Sequence, residues 1–406
     1  MNTIFYFELI IKFYSMRVFI CLFSLLFTGT CLFAQTGSLN QGVTYAKNYY
    51  EEIPYEAING KIFISVGLGG KVHRFLFDTG APVMLSKELS DQVGAVVINT
   101  NSLTDAYGGK GTVTVVKANG LRLGQVGFDS VAALLGLPDL YKCWQIDGVM
   151  GSNVLRNSIV RIDPGKHVII LTDQEDRLQL DTTKSIPLIT GIGSQSDPKI
   201  MVRFGGKTDL LLGFDTGDKA FLRISEDNMR ALRKDNTCTI ISKGYGSHQF
   251  SGTGAEKDAD KYLLQAPTVS VGSGEFLHAS FETGKNATPG IGAALLNYGT
   301  VTLDFLHHRF YFQPGAGSVD LEEKHWPLQP TIAGDKLLVG LVWSKGRPQL
   351  KPGQQIVAID GVSYERVDFC EVINRSSLLG AGKVTATLSV RDEQGVVRQV
   401  EIRKED

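Results

Sequence analysis

The chain has 406 residues, enough to bury two or three separate cores. Its 41 Lys and Arg against 42 Asp and Glu leave a net charge of −1, so no field draws in a phosphate backbone, and nucleic acid is not expected as a partner. Five cysteines without zinc-ligand spacing, and seven histidines without an H-E-x-x-H pair, point to neither metal nor cofactor.

Residues 1–34 differ in kind from the rest, with Glu8, Lys12 and Arg17 as their charged side chains. An apolar run over 18–33 ends at Ala34-Gln35 as a secretory signal does. The expected start is Met16, with cleavage after Ala34. The mature chain would then be periplasmic or extracellular, without stable membrane insertion. A retained anchor, and more weakly a lipid on Cys31, are the competing readings. Residues 35–52 read as a linker. Export leaves Cys143, Cys238 and Cys370, an odd count that cannot pair completely.

From residue 53 the chain repeats itself. Residues 61–66, a glycine turn and residues 75–80 read as strand, turn, strand, closing on Asp78-Thr79-Gly80. Residues 199–204, Gly205-Gly206 and residues 210–217 do the same, closing on Asp215-Thr216-Gly217. The two Asp are 215 − 78 = 137 positions apart. Further on, 149–155 aligns with 290–296 without a gap, at an offset of 292 − 151 = 141, and carries Asp163 onto Asp304. That pair reads as turn-forming. Between the landmarks each copy has a Gly-rich hairpin, 106–111 and 244–246, followed by turn-broken strands. Helical periodicity is confined to short pieces such as 86–93 and 226–233. The fold class is therefore mostly β, with two homologous antiparallel lobes over 53–178 and 185–314. Residues 313–318 have linker composition. A small α+β unit comes next over 319–406, with a strand and Asp360-Gly361 turn within 350–362, a helix near 367–376, and strands over 383–390 and 396–403.

With the triplets and their landmarks in place, residues 51–313 resemble the aspartic peptidases of the pepsin and retroviral type. In that family each lobe supplies one D-T-G turn and one later apolar-apolar-Gly block, matched here by Val149-Met150-Gly151 and Ile291-Gly292. The resemblance implies a pepsin-like pseudo-dimer with retropepsin-sized lobes. It assigns catalysis to Asp78 and Asp215, a hydroxyl lattice to Thr79 and Thr216, tight turns to Gly80 and Gly217, and a flap to Tyr107 and Gly108. Gly244-Tyr245-Gly246 would be the second lobe's counterpart of the flap. Ala81 conforms to the family pattern, whereas Asp218 stands where it has Ala, Ser or Thr. This third carboxylate raises the cost of ionising the pair unless Lys219 neutralises it. The last unit resembles a PDZ domain through residues 350–362. That implies capture of a peptide terminus by strand addition, with the carboxylate loop near 337–342.

The chemistry needs two carboxylates because amide hydrolysis requires one group to take a proton from water and another to give one to the carbonyl oxygen. Close like charges cannot both ionise, so such a pair holds one shared proton. The expected function is an aspartic endopeptidase acting on polypeptides. Its rival is an impaired peptidase fold that binds polypeptides without cleaving them, a reading favoured by Asp218.

Overall fold

A β-hairpin delivers each Asp-Thr-Gly triplet. In the first, Lys61–Leu68 pairs antiparallel with Lys71–Asp78; in the second, Lys199–Phe204 pairs with Thr208–Asp215. Glycines at the turns adopt positive φ, Gly69 and Gly70 in the two-residue turn of the first hairpin and Gly205 and Gly206 in the three-residue turn of the second. Phe75, Leu76 and Phe77 are all buried, because this strand is covered on both faces just before its Asp. The computed structural model describes residues 38–406 apart from 106, 107, 252, 253, 345–348, 376, 381 and 406. The leader, with Met16, Cys31 and the Ala34 cleavage point, lies outside the described residues, as does Tyr107.

Behind each triplet runs a short parallel strand. Gly148–Gly151 lies beside the first, with Gly151 opposite Asp78, and Gly290–Gly292 beside the second, with Gly292 opposite Asp215. The apolar-Gly blocks seen in the sequence are thus the seats on which the triplets rest. The copies then join through their closing strands, since Ile159–Asp163 pairs antiparallel with Gly299–Asp304. Each of these pairs in turn with the next strand of its own copy, Val168–Thr172 or Arg309–Pro314. Phe77, Ile162, Phe214 and Val301 belong to one continuous core spanning both copies. Burying each such side chain stabilises the fold by about 1.5–3 kcal/mol. Asp163 and Asp304 each accept two backbone N–H bonds in the adjoining turn, from Gly165 and Lys166 and from Leu306 and His307.

The short helices obey local rules. Lys87–Gln92 is capped by Ser86, and Glu226–Lys234 opens on a capping box of Ser225 with Asn228 and runs from acidic to basic. The last unit holds Leu328–Ala333, Lys336–Trp343, Gln355–Ile359, Thr385–Arg391 and Val397–Arg403, with a helix at Phe369–Asn374. It has a core of its own, including Leu337, Val339, Ile356, Leu388 and Val400.

Three expectations change. The stretch read as a linker is bound over its described part: Leu39 N donates to Ser194 O at 2.8 Å, and Val43 and Asp129 exchange bonds of 2.9 Å. Asn48 and Tyr49 donate to the Asp173 carboxylate, and the strand Tyr50–Ile58 begins within it. Distant groups satisfy its backbone, and composition does not record that. Secondly, Gly244-Tyr245-Gly246 is not a hairpin tip. It closes the strand Thr239–Gly246, which is still paired with Ala259–Val271 at Gly246, opposite Ala259. Its glycines admit a neighbour, for a Cβ on Gly244 would sit 2.6 Å from the Trp343 ring and one on Gly246 2.0 Å from Gly340 O. Finally, the supposed carboxylate loop at 337–342 is strand. Leu328–Ala333 pairs with one side of it, and the other side meets Gly244 and Tyr245 at Trp343 and Val342, and Gln355 at Leu338.

Candidate active site

Each triplet continues directly from a strand end, so its position is set by the hairpin and by the parallel strand behind it. Thr79 N donates to Thr216 Oγ1 and Thr216 N to Thr79 Oγ1, both at 3.1 Å. The hydroxyls donate onward, Thr79 to Phe214 O at 2.7 Å and Thr216 to Phe77 O at 2.9 Å. Four buried bonds thus tie the triplets together with near-twofold symmetry. Gly80 N donates to Asp78 Oδ1 and Gly217 N to Asp215 Oδ1, each at 2.9 Å. A Cβ on Gly80 would lie 2.5 Å from the Asp215 carboxyl, and one on Gly217 2.1 Å from that of Asp78. Each glycine therefore lies against the opposite carboxylate, and any side chain there would force the triplets apart.

The two carboxyls are not equivalent. Asp78 is 6% exposed and the Asp215 side chain 21%. Burial pushes the Asp78 carboxyl well above the usual carboxylate range and the Asp215 charge adds to this, while Lys61 and the Gly80 N–H oppose it. Lys61 reaches the site from the start of the first hairpin, where its ammonium donates to Gly217 O. Burial also pushes the Tyr141 phenol up, assisted by the charges of Asp78 and Asp215.

Asp218 turns away from the role expected of a bare third carboxylate. Its Oδ1 accepts from Ala220 N at 2.9 Å, and its Oδ2 is paired with the Arg223 guanidinium. Arg223 also stands 3.7 Å from Asp215 Oδ2 and donates from Nε to Thr288 O at 3.0 Å. The cation paired with Asp218 is thus Arg223 and not Lys219, whose ammonium burial and then the Lys61 charge push down, against the weaker opposing charge of Asp218. Arg223 escapes a reading of the sequence because the strand Leu222–Ser225 brings it back by pairing with Gly290–Gly292. Lys61 and Gln195 escape it too, the latter donating to Gly80 O at 2.8 Å from the start of the second copy.

Of the flap residues, Gly108 is described. It sits at the tip joining Val96–Thr104 to Lys110–Ala118, with φ +83, and a Cβ there would approach Asn286 of the second copy to 2.7 Å. Ala81 accepts a 2.9 Å bond from Ser152 N, tying the first triplet to its parallel strand. Asp78 and Asp215 open into a cleft of about 480 Å³ that also borders Leu103, Asp105, Tyr141 and Trp144. Cys143 is bonded to Cys370 across 227 residues of sequence, and Cys238 is a buried free thiol. Among the described residues, the groupings able to approach a metal are Glu175 with Asp304 and His307, and His278 with Asp320 and Glu322; none of these borders the cleft.

Residues 64–154 match the aspartyl protease family model. The matched stretch holds Asp78-Thr79-Gly80 and Val149-Met150-Gly151, and it supports an aspartic peptidase. A retropepsin-like aspartic protease from Rickettsia conorii is similar over 32% of this chain and 94% of its own, at 24% identity and a TM-score of 0.24. Basic 7S globulin from soybean matches 65% of this chain and 94% of its own, at 11% identity and a TM-score of 0.36. Conglutin gamma, a basic 7S globulin from lupine seeds, matches 66% and 96%, at 12% identity and a TM-score of 0.36. No curated protein matches the chain.

Proposed function

We propose that the chain is an aspartic endopeptidase in which the copies at 53–178 and 185–314 act as two lobes of a pepsin-like pseudo-dimer, with Asp78 and Asp215 as the catalytic pair. The observation that carries this reading is reciprocal: each triplet's glycine lies against the other's carboxylate, inside a lattice of four buried hydrogen bonds. The pair holds one proton. Burial favours the proton on Asp78, and the Arg223 guanidinium stands 3.7 Å from Asp215 Oδ2. A substrate water then gives its proton to Asp215 while its oxygen attacks the peptide carbonyl, whose oxygen takes the Asp78 proton. Collapse of the tetrahedral intermediate breaks the C–N bond: the departing nitrogen takes the proton held by Asp215, and one hydroxyl proton of the intermediate returns to Asp78, which restores the single shared proton. Cleavage is lost at high pH, once the shared proton leaves, and the raised Asp78 carboxyl moves that limit upward.

On the same reading, residues 1–34 are an export signal, the Gly108 hairpin is a flap, and 319–406 is a PDZ-like unit. The test is cleavage of an unfolded protein from acid to neutral pH by wild type and by Asp78→Asn. The substitution is expected to slow cleavage about 10³-fold or more. Undiminished cleavage by the variant would sink the dyad mechanism. The binding-protein reading rests on Asp218 as an added carboxylate beside the pair, and its pairing with Arg223 weakens that ground. Retained binding of unfolded polypeptide with no cleavage at any pH would establish it.

A further inference from the structure

The last unit packs over the cleft through its helix Phe369–Asn374, which is held from both copies. Cys370 is bonded to Cys143, Trp144 Nε1 donates to Asn374 Oδ1 at 3.0 Å, and Asn59 Nδ2 donates to Ile373 O at 3.1 Å. From the second copy, the Phe250 ring meets Phe369 with centroids 5.6 Å apart. At the same time, Gly244 and Tyr245 pair with Trp343 and Val342, on the strand where a captured peptide end would be added. Both the sheet and the helix of this unit are thus committed to contacts within the chain.

Through the helix and the residues around it the unit borders the same cleft as Asp78 and Asp215. Pro330, Ile373 and Leu378 contribute half-buried apolar surface there, and they face a first-copy wall that includes Leu140 and Tyr141. Arg375, exposed, borders the same space and donates to the Tyr364 hydroxyl at 2.9 Å. Half-buried apolar side chains in a cleft continuous with the reacting groups gain most by covering an apolar group of the substrate.

We infer that residues 319–406 form a wall of the substrate cleft, where Pro330, Ile373 and Leu378 make a subsite for a bulky apolar side chain of the bound polypeptide. This inference rests on the peptidase reading for its substrate. The unit selects what the cleft takes in, and its sheet edge is used to hold it in place. A free peptide end has no part in that arrangement.

The experiment uses full-length protein with the Cys143–Cys370 bond intact, and fluorescent peptides of fixed length in which one position is Leu, Phe, Ala or Asp. Binding is measured on Asp78→Asn, so that no peptide is consumed, and cleavage on the same substitutions in the wild-type dyad. With Ile373→Asp and Leu378→Asp, affinity for the Leu and Phe peptides should fall about tenfold or more while the Ala peptide is little affected. Cleavage should show the change in KM with kcat held. Leu378→Ala shortens a half-buried side chain with little risk to folding, and it should shift the preference from Leu toward Phe. An unchanged order of peptide affinities in all three variants overturns the subsite. An altered order accompanied by no dyad-dependent cleavage leaves the subsite standing and overturns the peptidase reading.

Discussion

The two Asp-Thr-Gly turns share one backbone and differ in what surrounds it. Both sit at a strand end, against a parallel strand, inside the same threonine lattice. The first leads into Ala81 and Pro82 and keeps its carboxyl buried; the second leads into Asp218, which draws Arg223 to within 3.7 Å of Asp215. Symmetric hydrogen bonding fixes the position of the carboxyls, while burial and neighbouring charge differ between them.

Four experiments would break or sharpen that contrast. The largest effect is expected from Asp78→Asn beside Asp215→Asn, each slowing cleavage about 10³-fold or more, as members of one dyad do. Near-normal cleavage by either, assayed on an unfolded protein, would remove that residue from the dyad. Next comes Arg223→Gln, which leaves Asp218 mostly buried and without its guanidinium partner. A loss of about 3 kcal/mol in denaturant unfolding is expected. Asp218→Ser with Arg223→Gln should recover most of that loss, because it removes both charges. A double variant no more stable than the single would show that Arg223 acts through other contacts. Thr79→Val deletes a hydroxyl that donates to Phe214 O and accepts from Thr216 N, at a cost of about 1–3 kcal/mol. Thr216→Val should cost a similar amount if the lattice is symmetric, and a large inequality in unfolding free energy would refute the symmetry.

The subtlest effect is pH-linked. The folded protein raises the proton affinity of Asp78 above that of the unfolded chain, so its contribution to stability is fully present below the unfolded carboxyl range and is lost as pH rises through the raised value. Asp78→Asn is neutral throughout. The variant's Tm should therefore exceed that of wild type near pH 7, with the gap closing toward pH 4. A gap independent of pH would mean that Asp78 is not buried at the cost described.

Repeats and locally governed elements were legible in the sequence. A fixed offset between two hairpins, each closing on the same triplet, stood out because strand, glycine turn and strand leave a pattern within about 20 residues. The short helices opening at Ser86 and Ser225 could be read for the same reason. Long-range pairings leave no such trace. Arg223 is brought back to Asp218 by a strand that pairs elsewhere, and nothing in the spacing marks Cys143 and Cys370 as partners. The glycines of 244–246 were misread because a glycine that makes room for Trp343 looks in sequence like one that makes a turn.

The pairing of Ile159–Asp163 with Gly299–Asp304 has a kinetic consequence. It joins residues lying over a hundred positions apart, so the sheet that links the two copies cannot close until the second copy has emerged from the ribosome. Such non-local pairing is slow, because loop closure precedes the contacts that reward it. Until then the first copy carries an open strand edge, the kind of surface on which two nascent chains exchange partners. Refolding of the first copy alone should yield dimers, and the rate for the whole chain should be limited by the meeting of the two copies.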